Sequence, residues 1–247
     1  MPRSEPNDDT RSQPTLPFRT WGGARSGAGR PRAGARLSRV AHGARAAHRK
    51  HQPVHVTLRV RAGLPNLRER SLFLQIKQAL AKSNEQQPDH FRLVHYSVQT
   101  NHLHLIAEAS HGSALARGMQ GLAIRIAKRL NAMLQRRGAV FSERYHARAL
   151  RTPREVRMAL AYVLLNRRHH WGERATMLAP WRTDACSSAG EFDGWRPLAG
   201  IEMPPPQRDI MRPGRSFLLA VLWRKHGLID LDEIPGRDRE RRRATRA

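Results

Sequence analysis

Residues 91–109 read FRLVHYSVQTNHLHLIAEA. FRLVHYSVQT has the content of a β-strand, and HLHLIAEA after it is a second apolar run. The short polar segment Gln99–Asn101 between them predicts an antiparallel hairpin, with one continuous strand as the alternative. In the second run, His102 and His104 flank Leu103. Strand side chains two residues apart share a face, so the two imidazoles stand one above the other, close enough to share a metal ion. The plainer reading is two polar residues on a half-exposed strand.

The sequence on either side extends this hairpin into a fold. Upstream, Val54, Val56, Leu58 and Val60 alternate with His55, Thr57, Arg59 and Arg61, the period of a strand with one buried face. NLRERSLFLQIKQALAKSNEQ (66–86) has Leu67, Leu72, Phe73, Ile76 and Leu80 at helical spacing, with Asn66 as N-cap. Downstream, GSALARGMQGLAIRIAKRLNAMLQRRG (112–138) predicts a long helix from the Ser113 cap to the Gly138 stop. AVFSERYHARAL (139–150) is a fourth strand-like piece. TPREVRMALAYVLLNRRHH (152–170) is a third helix, capped by Thr152, with Pro153 in its first turn and Glu155 closing a capping box. The order β-α-β-β-α-β is that of an α+β, ferredoxin-like antiparallel sheet with helices on one face, and here an extra helix follows it. There is no internal repeat.

Composition divides the 247 residues into three regions. Residues 1–50 are polar and then rich in Gly, Ala and Arg, and read as a disordered basic arm. Residues 51–172 hold most of the apolar positions and form the folded domain. Residues 173–247 read as an irregular extension containing one short helix, RSFLLAVLWRKHGLI (215–229), and a charged tail. The formal net charge is +25, and only five of the 45 basic residues are Lys. Such an excess suits a polyanionic partner, above all nucleic acid. A membrane is disfavoured, because no long apolar segment or bulky basic amphipathic anchor stands out. Cys186 is the single cysteine, which excludes an intramolecular disulfide and a cysteine-rich zinc site and suits a reducing cytoplasm. The first residues lack the apolar core of a secretory signal. In the arm, Gly29-Arg30-Pro31 is similar to an AT-hook core, which would place Arg25, Arg30 and Arg32 at DNA, in an A·T-rich minor groove or simply along phosphates.

Two further residues join the histidine pair. Tyr162 lies mid-helix among Ala159, Leu160, Val163 and Leu164, and Asn166 follows four residues later, on the same helical face. Alone, each has a structural reading, as a core tyrosine and as a polar residue at a helix end. Together NHLHLI, VFSERYHARAL and YVLLN, in this order, resemble the catalytic domain of the single-tyrosine HUH nucleases, specifically the REP-associated tyrosine transposases and their insertion-sequence relatives. The chain departs from the family pattern in having Asn166-Arg167 where many relatives have Asn-Pro, and Gln99-Thr100-Asn101 where Met-Pro-Asn is common.

The resemblance implies a metal-dependent single-stranded DNA endonuclease and strand transferase acting in DNA transposition. His102, His104 and Asn166 would hold Mg²⁺ or Mn²⁺, of which Mn²⁺ accepts imidazole more readily. Tyr162 would be the nucleophile, forming a 5′-phosphotyrosine and releasing a 3′-hydroxyl. Arg144, His146 and Arg148 would contact DNA near the site. The substrate would be a single-stranded hairpin or repeat end, the location the cytoplasm in association with the nucleoid, and the assembly either a monomer or a homodimer. The alternative is a noncatalytic nucleic-acid-binding protein with a ferredoxin-like sheet. It predicts stacking aromatics along the strands, and those strands are poor in them.

Overall fold

The computed structural model describes residues 48–86, 88–167, 183–197 and 210–235. The arm carrying Arg25, Arg30 and Arg32, and the charged tail, lie outside the described residues. Four strands, β1 (Val54–Arg59), β2 (Phe91–Val98), β3 (His102–Ala109) and β4 (His146–Ala149), form one sheet in the order β2-β3-β1-β4. Every neighbouring pair is antiparallel. With α1 (Arg70–Gln86) after β1 and α2 (Gly112–Met133) after β3, this is the ferredoxin-like α+β arrangement.

The alternation in β1 sorts side chains to two faces. Val54, Val56 and Leu58 join Leu103, Leu105 and Ala107 of β3 in a core roofed by α1 and α2, which contribute Leu72, Ile76, Leu122 and Ile126. Burying such side chains contributes roughly 1.5–3 kcal/mol each. The roof is close: a Cβ on Gly118 of α2 would stand 2.3 Å from the Phe91 ring of β2. The other face of the sheet holds a second core. Ile106 of β3 and Val94 of β2 pack there against Val156, Leu160 and Val163 of α3 (Pro153–Leu164). Val94 reaches this face through a register shift between Leu93 and His95, where one extra residue in β2 bulges out of the ladder.

Local signals held in part. Thr152 and Glu155 form the expected capping box of α3, with Pro153 in the first turn. The N-cap of α2 is His111, whose Nδ1 accepts from the Ala114 amide, instead of Ser113. Asn66 accepts from the Arg68 amide and so closes the turn before α1, which starts at Arg70. Only four residues of the 139–150 segment are strand. Phe141 makes an isolated bridge to Val60, and pairing with β1 resumes at His146.

The region after residue 172 contributes to both cores and to the sheet edge. Arg68 donates to both Asp184 oxygens, at 2.9 and 2.6 Å. Val98 at the end of β2 donates to the Cys186 carbonyl at 2.8 Å, and Ser97 bridges Ser187. Asn84 of α1 bonds both the amide and the carbonyl of Leu93 and also the carbonyl of Ile210. Glu108, buried at the end of β3, accepts from the Arg215 and Ser216 amides and from the Ser216 hydroxyl. Ser216 in turn caps α4 (Phe217–Ala220). A 3₁₀ turn (Leu222–His226) then delivers Trp223, 1 % exposed, onto Phe192 with ring centroids 5.6 Å apart, and Trp195 meets Phe192 edge-on at 5.0 Å. Among the described residues, no helix is long and apolar enough to cross a membrane.

Because Trp223 fills the second core beneath α3, Trp223→Ala is expected to destabilise the protein by about 3–5 kcal/mol. Urea unfolding of the full chain checks this. A loss below about 1 kcal/mol would mean the C-terminal segment lies loosely on the domain.

Candidate active site

The chemistry-bearing side chains collect on the sheet face that α3 covers. Antiparallel pairing sets Arg59 opposite His102 and Thr57 opposite His104 on β1 and β3, and His146 opposite Thr57 on β4. Leu103 and Leu105 point into the first core, which forces His102 and His104 to the other face. Their Nε2 atoms lie 3.0 Å apart, with ring centroids 4.7 Å apart.

The outer nitrogens of both rings are also engaged. His102 Nδ1 lies 2.8 Å from Asn101 Oδ1. An amide oxygen only accepts, so this contact puts the His102 proton on Nδ1 and leaves Nε2 with its lone pair. His104 Nδ1 faces two groups at 3.2 Å, Thr57 Oγ1 and His55 Nε2. His55 comes from β1 and its ring centroid is 5.2 Å from that of His104. Burial, and secondarily the charge of Arg148, push the His55 pKa down to about 4.

Tyr162 arrives from α3. Its ring meets His104 edge-on at 5.1 Å between centroids and His55 at 5.8 Å. The helix is fixed at its start by the capping box, and Glu155 also accepts from Arg148 of β4 at 3.1 Å. The Arg151 amide, then Arg148 and the Thr152 amide, hold the Glu155 carboxyl below its usual range. Asn166 stands just past the helix, since Leu165 is the C-cap. Its side chain is fully buried, and among the described residues neither amide atom has a hydrogen-bond partner.

This arrangement can be tested against a cation. Two imidazole nitrogens at about 2.1 Å from one metal, at right angles, are about 3.0 Å apart. A hydrogen bond between the rings fits the same distance, so the spacing alone does not decide. Asn166 adds a second observation: a buried amide without a partner costs roughly 1–3 kcal/mol, and a cation is one group that would satisfy its oxygen. Among the described residues, no three His, Cys, Asp or Glu side chains form a metal cluster. The donors that the structure brings together are therefore the two imidazoles, and Asn166 is the third donor that the sequence names.

The DNA-contact candidates divide. His146 and Arg148 are exposed on β4, on the same face as the histidines, while Arg144 is exposed in the segment before β4. Sequence reasoning passed over His55, which it read only as a polar position in an alternating strand. Its register against Ile106, beside His104, appears once β1 and β3 are paired.

The fold and site can be set beside known proteins. No family model matches the chain, and no curated protein matches it. Among solved structures, the chain is similar to the REP-associated tyrosine transposase bound to a REP hairpin, with 18% sequence identity and a TM-score of 0.41 over 54% of this chain and 76% of that one.

The His55 environment makes a pH prediction. Its folded pKa is depressed, so between about pH 6.5 and 4 the unfolded chain binds a proton that the folded chain does not. Stability is unaffected by His55 above that window and falls as pH drops through it, by on the order of 3 kcal/mol in total. Urea unfolding in chelator from pH 7 to 4.5 should show this slope, and His55→Gln should flatten it. Parallel slopes in the two proteins would contradict it.

Proposed function

We propose that this protein is a metal-dependent endonuclease and strand transferase for single-stranded DNA, acting in DNA transposition through Tyr162. The observation that carries the reading is the packing of the Tyr162 ring on His104, whose Nε2 faces that of His102 at 3.0 Å. A tyrosine and a pair of facing imidazoles on one sheet face are the parts needed to attack a phosphate held by a cation.

His102, His104 and Asn166 would hold Mn²⁺ or Mg²⁺, and a bound cation would polarise the scissile phosphate and neutralise its developing charge. Tyr162 contributes the nucleophile: its oxygen bonds to phosphorus as the phosphorus–O3′ bond breaks. The phenolic proton leaves, the departing 3′-oxygen gains one, and the strand's 5′-phosphate stays covalently on Tyr162. A second strand's 3′-hydroxyl can run the same exchange backward and rejoin DNA, because the phosphodiester is conserved. His146 and Arg148, exposed beside the pair, and Arg144 before them, would carry the flanking phosphates. The net charge of +25 supports a polyanionic substrate, and Arg25, Arg30 and Arg32 would add affinity from the arm.

The test is a covalent adduct. Full-length protein with single-stranded hairpin DNA and Mn²⁺ should give a protein–DNA band that survives denaturation. Tyr162→Phe should remove it while DNA affinity stays within a few-fold, and His102→Ala should cut its rate by at least 10²-fold. A band that persists in the Tyr162→Phe protein would defeat the assignment. The other candidate nucleophiles are Tyr145 and Tyr96, and Tyr96 is poorly placed, being 2 % exposed in the first core. No band from wild-type protein on any hairpin would favour the noncatalytic binding protein.

A further inference from the structure

We propose that His55 is a positioning residue: its Nε2 accepts the Nδ1 proton of His104, fixing His104 Nε2 as a cation ligand, while its ring seats Tyr162. This rests on the reading that His102 and His104 share a divalent cation. An imidazole that ligates through one nitrogen must carry its proton on the other, and an acceptor there fixes the tautomer and the ring's orientation. For His102 that acceptor is Asn101 Oδ1 at 2.8 Å. For His104 the two groups at Nδ1 are His55 Nε2 and Thr57 Oγ1, both at 3.2 Å. The hydroxyl can turn to donate as readily as to accept, so Thr57 suits either tautomer of His104. His55 Nε2 can likewise take either role, and with the His55 proton on Nδ1 it accepts only from the ligating tautomer of His104.

Position strengthens the assignment. His55 lies on β1 beside Thr57's row, under α3, with ring contacts to both His104 and Tyr162. One side chain thus touches both halves of the site, His104 and Tyr162. An aromatic of similar width at this position would keep the contact with Tyr162 and remove the acceptor for His104. The two roles can therefore be separated by substitution.

The experiment is calorimetric titration of the full-length protein with Mn²⁺, without DNA. His55→Phe should weaken Mn²⁺ binding by 10–100-fold. His55→Gln, whose amide oxygen can reach toward the Nε2 position, should return affinity to within several-fold of wild type. At saturating Mn²⁺ the Phe protein should recover its adduct rate, because the seat for Tyr162 remains. The proposal is overturned if the Phe protein binds Mn²⁺ as wild type does, if the Gln protein loses as much as the Phe protein, or if Thr57→Val alone causes the larger loss. Should the Phe protein not fold, His55→Asn, too short to reach His104, replaces it in the Mn²⁺ titration alone, since it lacks the ring that seats Tyr162. Wild-type Mn²⁺ affinity in His102→Ala would sink the shared-cation reading instead. Tight Mn²⁺ binding without any adduct would sink strand transfer and leave the role of His55 standing.

Discussion

The register between β1 and β3 is the constraint from which the site follows. With Thr57 opposite His104 and Arg59 opposite His102, the apolar sets of both strands meet on one face and the polar sets on the other. A slip of one residue would drive His55 and Thr57 into the core under α1 and α2, and the valines outward. The cost of exposing Val54, Val56 and Leu58 fixes the pairing, and the pairing fixes which groups reach His104 Nδ1. The hydrophobic effect, itself without direction, thereby sets a hydrogen-bond geometry on the opposite surface.

That surface would be an ordinary solvated sheet face without what covers it. α3 alone is 12 residues, too short to be stable by itself. Its apolar side packs on Ile106 and Val94, and Trp223, Phe192 and Trp195 fill the remaining space. Polar contacts at both ends anchor that filling. Arg157 of α3 donates to the Leu228 carbonyl at 3.0 Å and to Glu233 at 2.7 Å, and buried Glu108 gathers the turn that starts α4. Trp223, 61 positions after Tyr162, therefore helps to hold it against the sheet.

The parts legible in the sequence are those decided by near neighbours. Alternation through 54–60 marked β1, Gln99–Asn101 marked the hairpin, and Thr152 with Glu155 marked the start of α3. Long-range pairing decided the rest. The cap at His111 was missed because histidine is an unusual cap, and Ser113 two residues on matched the ordinary preference. The 139–150 segment has strand content throughout, yet only its end pairs as a strand, since a lone bridge at Phe141 and the exposed Ser142, Glu143 and Arg144 precede it. His102, His104, Tyr162 and Asn166 were singled out by type and spacing. His55 was not, because nothing in its neighbours tells an outward strand position from one that lies under a helix.

The two margins of the sheet are finished differently. Along β2 the outer backbone is taken up by Cys186, by the Ser188 hydroxyl at the Tyr96 amide, and by the Arg212 amide at the Leu93 carbonyl. β4, at the other margin, has only β1 beside it among the described residues. It is four residues long, about 13 Å, and carries an imidazole and a guanidinium outward. An edge this short offers little ladder to a second copy of itself. Sheet extension is thus met on one flank by chain and limited on the other by the four-residue length of β4.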